Sequence, residues 1–401
     1  MRGRSRPLEY MPQLDALRAV AVFLVFLAHW VPAAAILGPL GVRLFFVLSG
    51  FLITSILLRS RSDIDLYGAK WPMLLRHFYL RRMLRLYPAL VLFVIAVALS
   101  GYGPTRHSWP WHITYLSNIR FAVIGGSEDG VGHLWSLSVE EQFYLFWPLM
   151  IFFTPRPRQI PLVFVLVAVG WAARVFFFVT GSFSAGQYVL PFAWLDGLGL
   201  GALLAFACEP TSRRQPIDRS RLIRLSGLFG IPIFVVAVLT KHTPHETFAI
   251  LFLELGASLT FLWLVARSAE GFKGSVGKLL EFKPLIYLGQ ISYGLYLVHP
   301  VIPDAFKHLM REWNVALTQW DVPQTVYLFA QFVSPRFATK IAALTMLVVY
   351  TTATVGVATV SWFAWEKPFN KLRRHIAYGR RGEHSRARPI GSESSRVAES
   401  S

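Results

Sequence analysis

Apolar runs close to twenty residues long recur along this chain, and that recurrence limits the folds open to it more than any other feature. Twenty apolar residues in an α-helix are the length that crosses a bilayer. Of the 401 residues, 54% are hydrophobic and 15% aromatic, against about 45–50% apolar residues in a soluble globular domain. The chain therefore reads as an all-α polytopic integral membrane protein, a helical bundle. Ten spans are expected, at about 14–33, 41–58, 86–102, 133–153, 160–180, 188–208, 222–240, 247–266, 285–302 and 339–365. The basic stretch Met1–Met11 runs into the first span without a small-residue cleavage site, so no cleavable signal peptide is expected.

The formal charge of +18 falls mostly in alternate loops: the N-terminus, 59–85, 154–158, 209–224, 267–283 and the tail. Lys and Arg collect on the cytoplasmic side of membrane proteins, so both termini are expected in the cytoplasm and the protein in the inner (plasma) membrane. The charge is read as topology plus attraction to anionic lipid head groups; no nucleic-acid module is present, and no nucleic-acid partner is expected. Residues 1–370 are expected to form the transmembrane domain, and 371–401, rich in Arg, Ser and Glu, a disordered basic cytoplasmic tail. The single cysteine, Cys208, excludes an intramolecular disulfide and a Cys-rich metal site. It sits among Ala and Phe and reads as a small buried apolar residue. No metal site is expected.

Within the first span three polar residues interrupt the apolar pattern: Asp15, Arg18 and His29. Intramembrane ionisable residues cost about 2.5–3.5 kcal/mol on insertion scales and mark candidate functional sites. Arg18 and His29 are eleven positions apart, about three helical turns, so they share one face and lie about 16 Å apart along the axis. Asp15, three positions before Arg18, is also placed to neutralise it within the helix. Arg82 and Arg85, three apart, share a helix face. They suit either phosphate recognition or anchoring by snorkelling at the membrane surface. Glu140 lies about two turns into the fourth span and needs a partner; orienting His29, gripping a hydroxyl, and an ion pair with Arg43 are the alternatives. Ser49 and Gly50 favour close helix packing, and no Gly-x-Ser-x-Gly nucleophile elbow is present.

Several motifs together resemble the acyltransferase-3 family. They are Leu14-Asp15-Ala16-Leu17-Arg18 with His29, Phe45-Phe46-Val47-Leu48-Ser49-Gly50-Phe51-Leu52-Ile53, and Phe78-Tyr79-Leu80-Arg81-Arg82-Met83-Leu84-Arg85-Leu86-Tyr87-Pro88. His133-Leu134-Trp135-Ser136-Leu137-Ser138-Val139-Glu140-Glu141-Gln142-Phe143-Tyr144, Ile291-Ser292-Tyr293-Gly294-Leu295-Tyr296-Leu297-Val298-His299-Pro300 and Trp365-Glu366-Lys367-Pro368-Phe369 complete the set. They occur in family order over about residues 10–372.

The resemblance implies a ten-span membrane O-acyltransferase. Such an enzyme takes an acyl group, usually acetyl, from cytoplasmic acyl-CoA to a hydroxyl of a cell-surface glycan or lipid-linked sugar. Some members carry a C-terminal extracytoplasmic SGNH hydrolase-like domain. This chain has only a short basic tail after its last span, so it is expected to work alone or with a separate extracytoplasmic partner enzyme. Under this reading Arg18, Arg82 and Arg85 hold the phosphates of acyl-CoA, acetyl-CoA foremost, because the guanidinium fork matches phosphate oxygens. His29 acts as the general base on the acceptor hydroxyl, and burial would keep its imidazole neutral. Glu140 joins it as the second catalytic group. Tyr293 and His299 are assigned to acceptor binding, His299 with a helix-end interface position as the alternative. Glu366 is read as either a functional group or an ion pair with Lys367. A secondary transporter or flippase of a small anionic or lipid-linked substrate is the rival reading, since intramembrane charges suit it equally.

Overall fold

The computed structural model describes residues 10–100, 105–181, 188–209, 217–313, 315, 322–373 and 376. Most of the expected disordered tail lies outside them. Among the described residues the regular elements are all helical. Seven stretches are long and apolar enough to cross a membrane. They are α1 (Pro12–Trp30), α2 (Leu37–Tyr67), α3 (Trp71–Leu99), α7 (Arg156–Val179), α9 (Arg219–Thr240), α10 (Glu246–Glu270) and the run Ala338–Leu372. That last run joins α16 (Ala338–Ser361) to α17 (Lys367–Leu372) through one π-helical turn at Trp362–Glu366. Two short helices, α4 (Thr105–Ile113) and α5 (Ser117–Ile124), follow α3, and α14 (Val301–Glu312) and α15 (Gln324–Val333) precede α16.

Three of the ten expected spans take other forms. The span expected at 133–153 is α6 (Leu134–Phe153), a 20-residue helix carrying Glu140 and Glu141. The span expected at 188–208 is α8 (Leu195–Ala207), only 13 residues after a 3-10 turn at Pro191–Trp194. At about 1.5 Å per residue it falls short of a bilayer core of about 30 Å. Every residue of α8 after Leu195 is buried, so protein rather than lipid surrounds it and the length requirement lapses. The span expected at 285–302 is broken at Ile291 into α12 (Lys283–Gln290) and α13 (Ser292–Val298). A short α11 (Gly274–Leu280) comes before it. Averaged over 285–302 the stretch stays apolar despite Gln290 and Ser292 on either side of Ile291, which is why hydropathy alone reads one span there.

Lipid tails are as apolar as leucine, so close backbone approach and buried polar contacts, not water exclusion, join such helices. The α2–α8 crossing shows the first device. A Cβ at Gly50 would overlap the Leu198 carbonyl oxygen, and one at Gly201 would overlap that of Val47. Gly289 of α12 backs onto the Asp15 carbonyl of α1 in the same way. Buried polar contacts join α2, α7, α8 and α10. Arg43, 1% exposed, donates to Asp196 at 2.9 Å, Glu254 at 2.7 Å and Ser258 at 2.9 Å. Arg174 donates to the second oxygen of Asp196 at 2.8 Å and to the Ala193 carbonyl at 2.9 Å. The Arg43 guanidinium also lies 4.6 Å from the Trp194 ring. This network sets aside the Arg43–Glu140 ion pair, one of the three alternatives for Glu140: Arg43 turns to Asp196 of α8 and to Glu254 and Ser258 of α10.

Helix α1 defines two ends of the bundle. Arg18 lies toward its start and His29 at its close. Helix α2 runs back antiparallel to it, Gly38 beside Ala28 and Gly41 beside Ala21.

Candidate active site

Three helices deliver cations and a carboxylate to one cavity. Arg18 comes from α1, Arg82 and Arg85 from one face of α3, and Glu140 and Tyr144 from α6. Ser49 of α2 and Ser292, Tyr293 and Tyr296 of α13 complete its polar lining, with Phe45 and Phe46 among the apolar walls. The i, i+3 spacing of Arg82 and Arg85 works as read from the sequence: both guanidiniums reach the same space.

Each charged group has an identifiable support. Arg18 pairs with Asp15 at 3.1 Å, and Asp15 also accepts from the Tyr10 hydroxyl at 3.0 Å. Arg18 is thus both neutralised within its helix and part of the lining. The Arg82 guanidinium stacks 3.9 Å from the Tyr144 ring centre, a cation–π contact. Glu140 accepts hydrogen bonds from the hydroxyls of Ser49 and Tyr144. Its carboxylate belongs to the arginine cavity and does not orient His29, one of the expected alternatives. Ser49 therefore does more than allow packing: it fixes the carboxylate.

The inner wall of the cavity ends at Tyr296. Its hydroxyl bonds Ser136 Oγ at 2.5 Å and donates to the His133 carbonyl at 3.2 Å. Beyond it lie three imidazoles in series. The Tyr296 ring is 5.3 Å from that of His133 and 5.5 Å from that of His299. His299 stands edge-on to His133 at 5.2 Å and to His29 at 4.8 Å. His299 is completely buried, Nδ1 donating to the Tyr296 carbonyl at 2.7 Å and Nε2 without a hydrogen-bond partner among the described residues. It is therefore no helix-end interface residue; it packs beneath His29 against Phe26 and Trp30.

His29 itself is exposed, at the end of α1, which corrects the expectation of a buried base. Its Nδ1 donates to the Val25 carbonyl at 2.9 Å. In the neutral ring that bond leaves the lone pair on Nε2, the atom a general base uses. The cavity and the histidine series thus occupy successive levels of one axis, with Tyr296 between them.

Tyr293 lines the arginine cavity and His299 belongs to the histidine series, so the two residues expected to share acceptor binding lie on different levels. Glu366 is buried and accepts from Ser361 at 3.1 Å, while Lys367 lies 4.5 Å from the Phe363 ring centre. Of the two readings of Glu366, the ion pair with Lys367 gives way to these contacts, since adjacent residues on a helix point about 100° apart. Sequence reading did not single out His133 or Tyr296. Both stand in the motifs already quoted, His133 one position before α6 and Tyr296 three before His299. The i, i+3 spacing of Tyr296 and His299 was the available signal. Among the described residues, no group of three or more His, Cys, Asp or Glu is placed to hold a metal ion.

The family model described as an acyltransferase domain, Acyl_transf_3, matches residues 11–366. The O-acetyltransferase OatA of Staphylococcus aureus is 32% identical over 357 residues, covering 80% of this chain and 54% of that protein. The peptidoglycan O-acetyltransferase OatA of Listeria monocytogenes is 29% identical over 329 residues, 73% of this chain and 50% of that protein. A putative peptidoglycan O-acetyltransferase, YrhL of Bacillus subtilis, is 30% identical over 321 residues, 73% and 49%. The chain spans about half the length of these curated relatives. No solved structure matches it.

Proposed function

The chain belongs to the acyltransferase-3 family, and from that premise we propose that it transfers an acetyl group from acetyl-CoA to a hydroxyl of a cell-wall glycan. The observation that carries this reading is the convergence of Arg18, Arg82 and Arg85 on one cavity that ends at Tyr296, beneath the histidine series. The arginine end faces the cytoplasm, in keeping with the excess of Lys and Arg in the loops on that side. The donor's phosphates take the guanidinium forks, which bind phosphate oxygens in pairs. Glu140, held by Ser49 and Tyr144, keeps a fixed negative charge among the arginines and accepts a hydrogen bond from the donor's amide arm.

The thioester end points toward Tyr296 and His29, about 16 Å along the axis from Arg18. His29 Nε2 removes the proton of the acceptor hydroxyl as its oxygen attacks the thioester carbonyl, and the C–S bond breaks. The departing coenzyme A thiolate takes a proton back from the imidazolium. His299, packed edge-on beneath, positions the His29 ring. The names of the Listeria and Bacillus relatives support a glycan acceptor. Exposure of His29 at the histidine end supports an acceptor arriving from the far side of the membrane.

Purified protein incubated with radiolabelled acetyl-CoA and cell-wall glycan strands tests the reading. Label appears in the glycan with wild type and is absent with His29→Ala. Normal labelling by a normally folded His29→Ala protein would refute His29 as the base.

A further inference from the structure

A second cavity opens between α3 and α16, with α13 as its floor and α14 across its top; its volume is about 890 Å³. Its walls are apolar along Ala89, Phe93, Ala96 and Val97. Its upper rim carries Asp304, Lys307, His308 and Arg311 of α14 together with Ser100. Asp304 pairs with Lys307 at 3.6 Å, so the rim keeps a cationic balance through Arg311.

The dimensions select the ligand. Ala89 and Ser100 are eleven positions apart along α3 and its C-cap, or about 16 Å. One leaflet of a hydrocarbon core about 30 Å thick measures about 15 Å. The groove thus runs the depth of one leaflet, apolar below and cationic at the level of the head groups, where Lys and Arg meet phosphate. It is also one side chain from the histidine series. Phe93, in its wall, stands edge-on to His133 at 5.8 Å, and Leu297 and Val298, in its floor, directly precede His299.

We propose that this groove holds the hydrocarbon tail and first phosphate of a polyprenyl-linked saccharide, so that the acceptor hydroxyl reaches His29 on a lipid carrier. The proposal rests on the acyltransferase reading for the identity of the acceptor, and on the groove alone for the lipid. The tail lies along α3, the phosphate meets Arg311 and Lys307, and the sugar extends over the end of α1. An anionic bulk lipid would match the rim charge equally but would bring no saccharide to the histidines.

The test uses the full chain in phosphatidylcholine nanodiscs, a long-chain polyprenyl phosphate as probe and phosphatidylglycerol as competitor, with bound lipid counted by native mass spectrometry. Wild type is expected to retain one polyprenyl phosphate against a tenfold excess of phosphatidylglycerol. Ala96 is exposed on the groove wall, so Ala96→Trp fills the groove without entering the core and is expected to weaken retention at least tenfold. Arg311→Glu, at the rim, is expected to weaken it by a similar factor. Both variants should bind acetyl-CoA as wild type does. Displacement by phosphatidylglycerol, or equal retention by Ala96→Trp, would overturn the proposal. Failure of wild type to bind acetyl-CoA would instead remove the donor reading and leave the lipid result to stand by itself.

Discussion

Arg43 and Arg174 lie in a closed network with Asp196 and Glu254, two cations against two carboxylates, tied across four helices. Arg18, Arg82 and Arg85 lie around a cavity whose lining holds one carboxylate, Glu140, itself bonded to two hydroxyls. Both sets are arginines inside an apolar bundle. The first has its charge answered within the protein; the second collects cations about an opening. Closed charge of the first kind locks helices together. Charge arranged around a space recognises an anion that comes from outside.

Breaking the closed network should have the largest effect. Removing one partner of a buried ion pair leaves an uncompensated charge, at a cost of about 3–5 kcal/mol. Arg43→Ala is therefore expected to lower the thermal unfolding midpoint in detergent sharply, or to abolish folded protein. The same substitution in the cavity should spare the fold and affect binding. A hydrogen bond to a charged group contributes about 1.5–3 kcal/mol, so Arg82→Ala and Arg85→Ala should each weaken acetyl-CoA about ten- to a hundred-fold in equilibrium binding. An unfolding midpoint near wild type would accompany that loss. A smaller effect is expected at the divide between the two levels. Interhelical hydrogen bonds in membrane proteins average about 0.6 kcal/mol. Tyr296→Phe, losing the bonds to Ser136 and the His133 carbonyl, should destabilise by about 1 kcal/mol, roughly 0.6 for each bond, and leave the acetyl-CoA Kd unchanged.

A third polar cluster sharpens the comparison from outside the spans. Between α4 and the start of α6, Ser108 donates to Glu128 at 2.6 Å, Arg120 donates to the other oxygen at 2.6 Å, and His112 Nδ1 meets Ser117 Oγ at 2.9 Å. Burial lowers the His112 pKa below its usual 6.5, and the nearby Glu128 charge restores only part of that. Burial pushes Glu128 up, but the bonds from Ser108 and Arg120 and the Arg120 charge outweigh it, leaving a net value below 4.5. With both folded values depressed, the unfolded chain binds more protons in acid. The stability due to His112 is complete above about pH 6.5 and declines as pH falls below it; that due to Glu128 declines below about pH 4.5. Glu128→Gln should flatten the unfolding midpoint against pH below about pH 4.5, where Glu128 titrates, and an unchanged slope there would contradict the assignment.

The sequence made the membrane bundle legible because apolar length is a one-dimensional property. It also made the Arg18–His29 stripe legible, since both residues sit on one helix of fixed pitch, and the shared face of Arg82 and Arg85 for the same reason. Contacts between helices were a different matter. Glu140 had three equivalent partners on paper, and only the packing of α6 against α2 chose Ser49, with Tyr144 joining from four residues further along α6 itself. Arg43 turned toward Asp196 and Glu254, residues 153 and 211 positions away. His133 joined the histidine series through the turn ahead of α6, a geometry with no linear signal. The burial of α8 and the break at Ile291 were hidden because hydropathy does not separate a helix in lipid from one in protein.

The most direct test of the account measures binding and transfer in the same preparations. Wild type, Arg85→Ala and His29→Ala, each folded by its unfolding midpoint, are given radiolabelled acetyl-CoA with and without glycan. The account predicts that Arg85→Ala loses binding and transfer together, while His29→Ala binds with wild-type affinity and transfers nothing. Wild-type binding by Arg85→Ala, or transfer by His29→Ala, would contradict it.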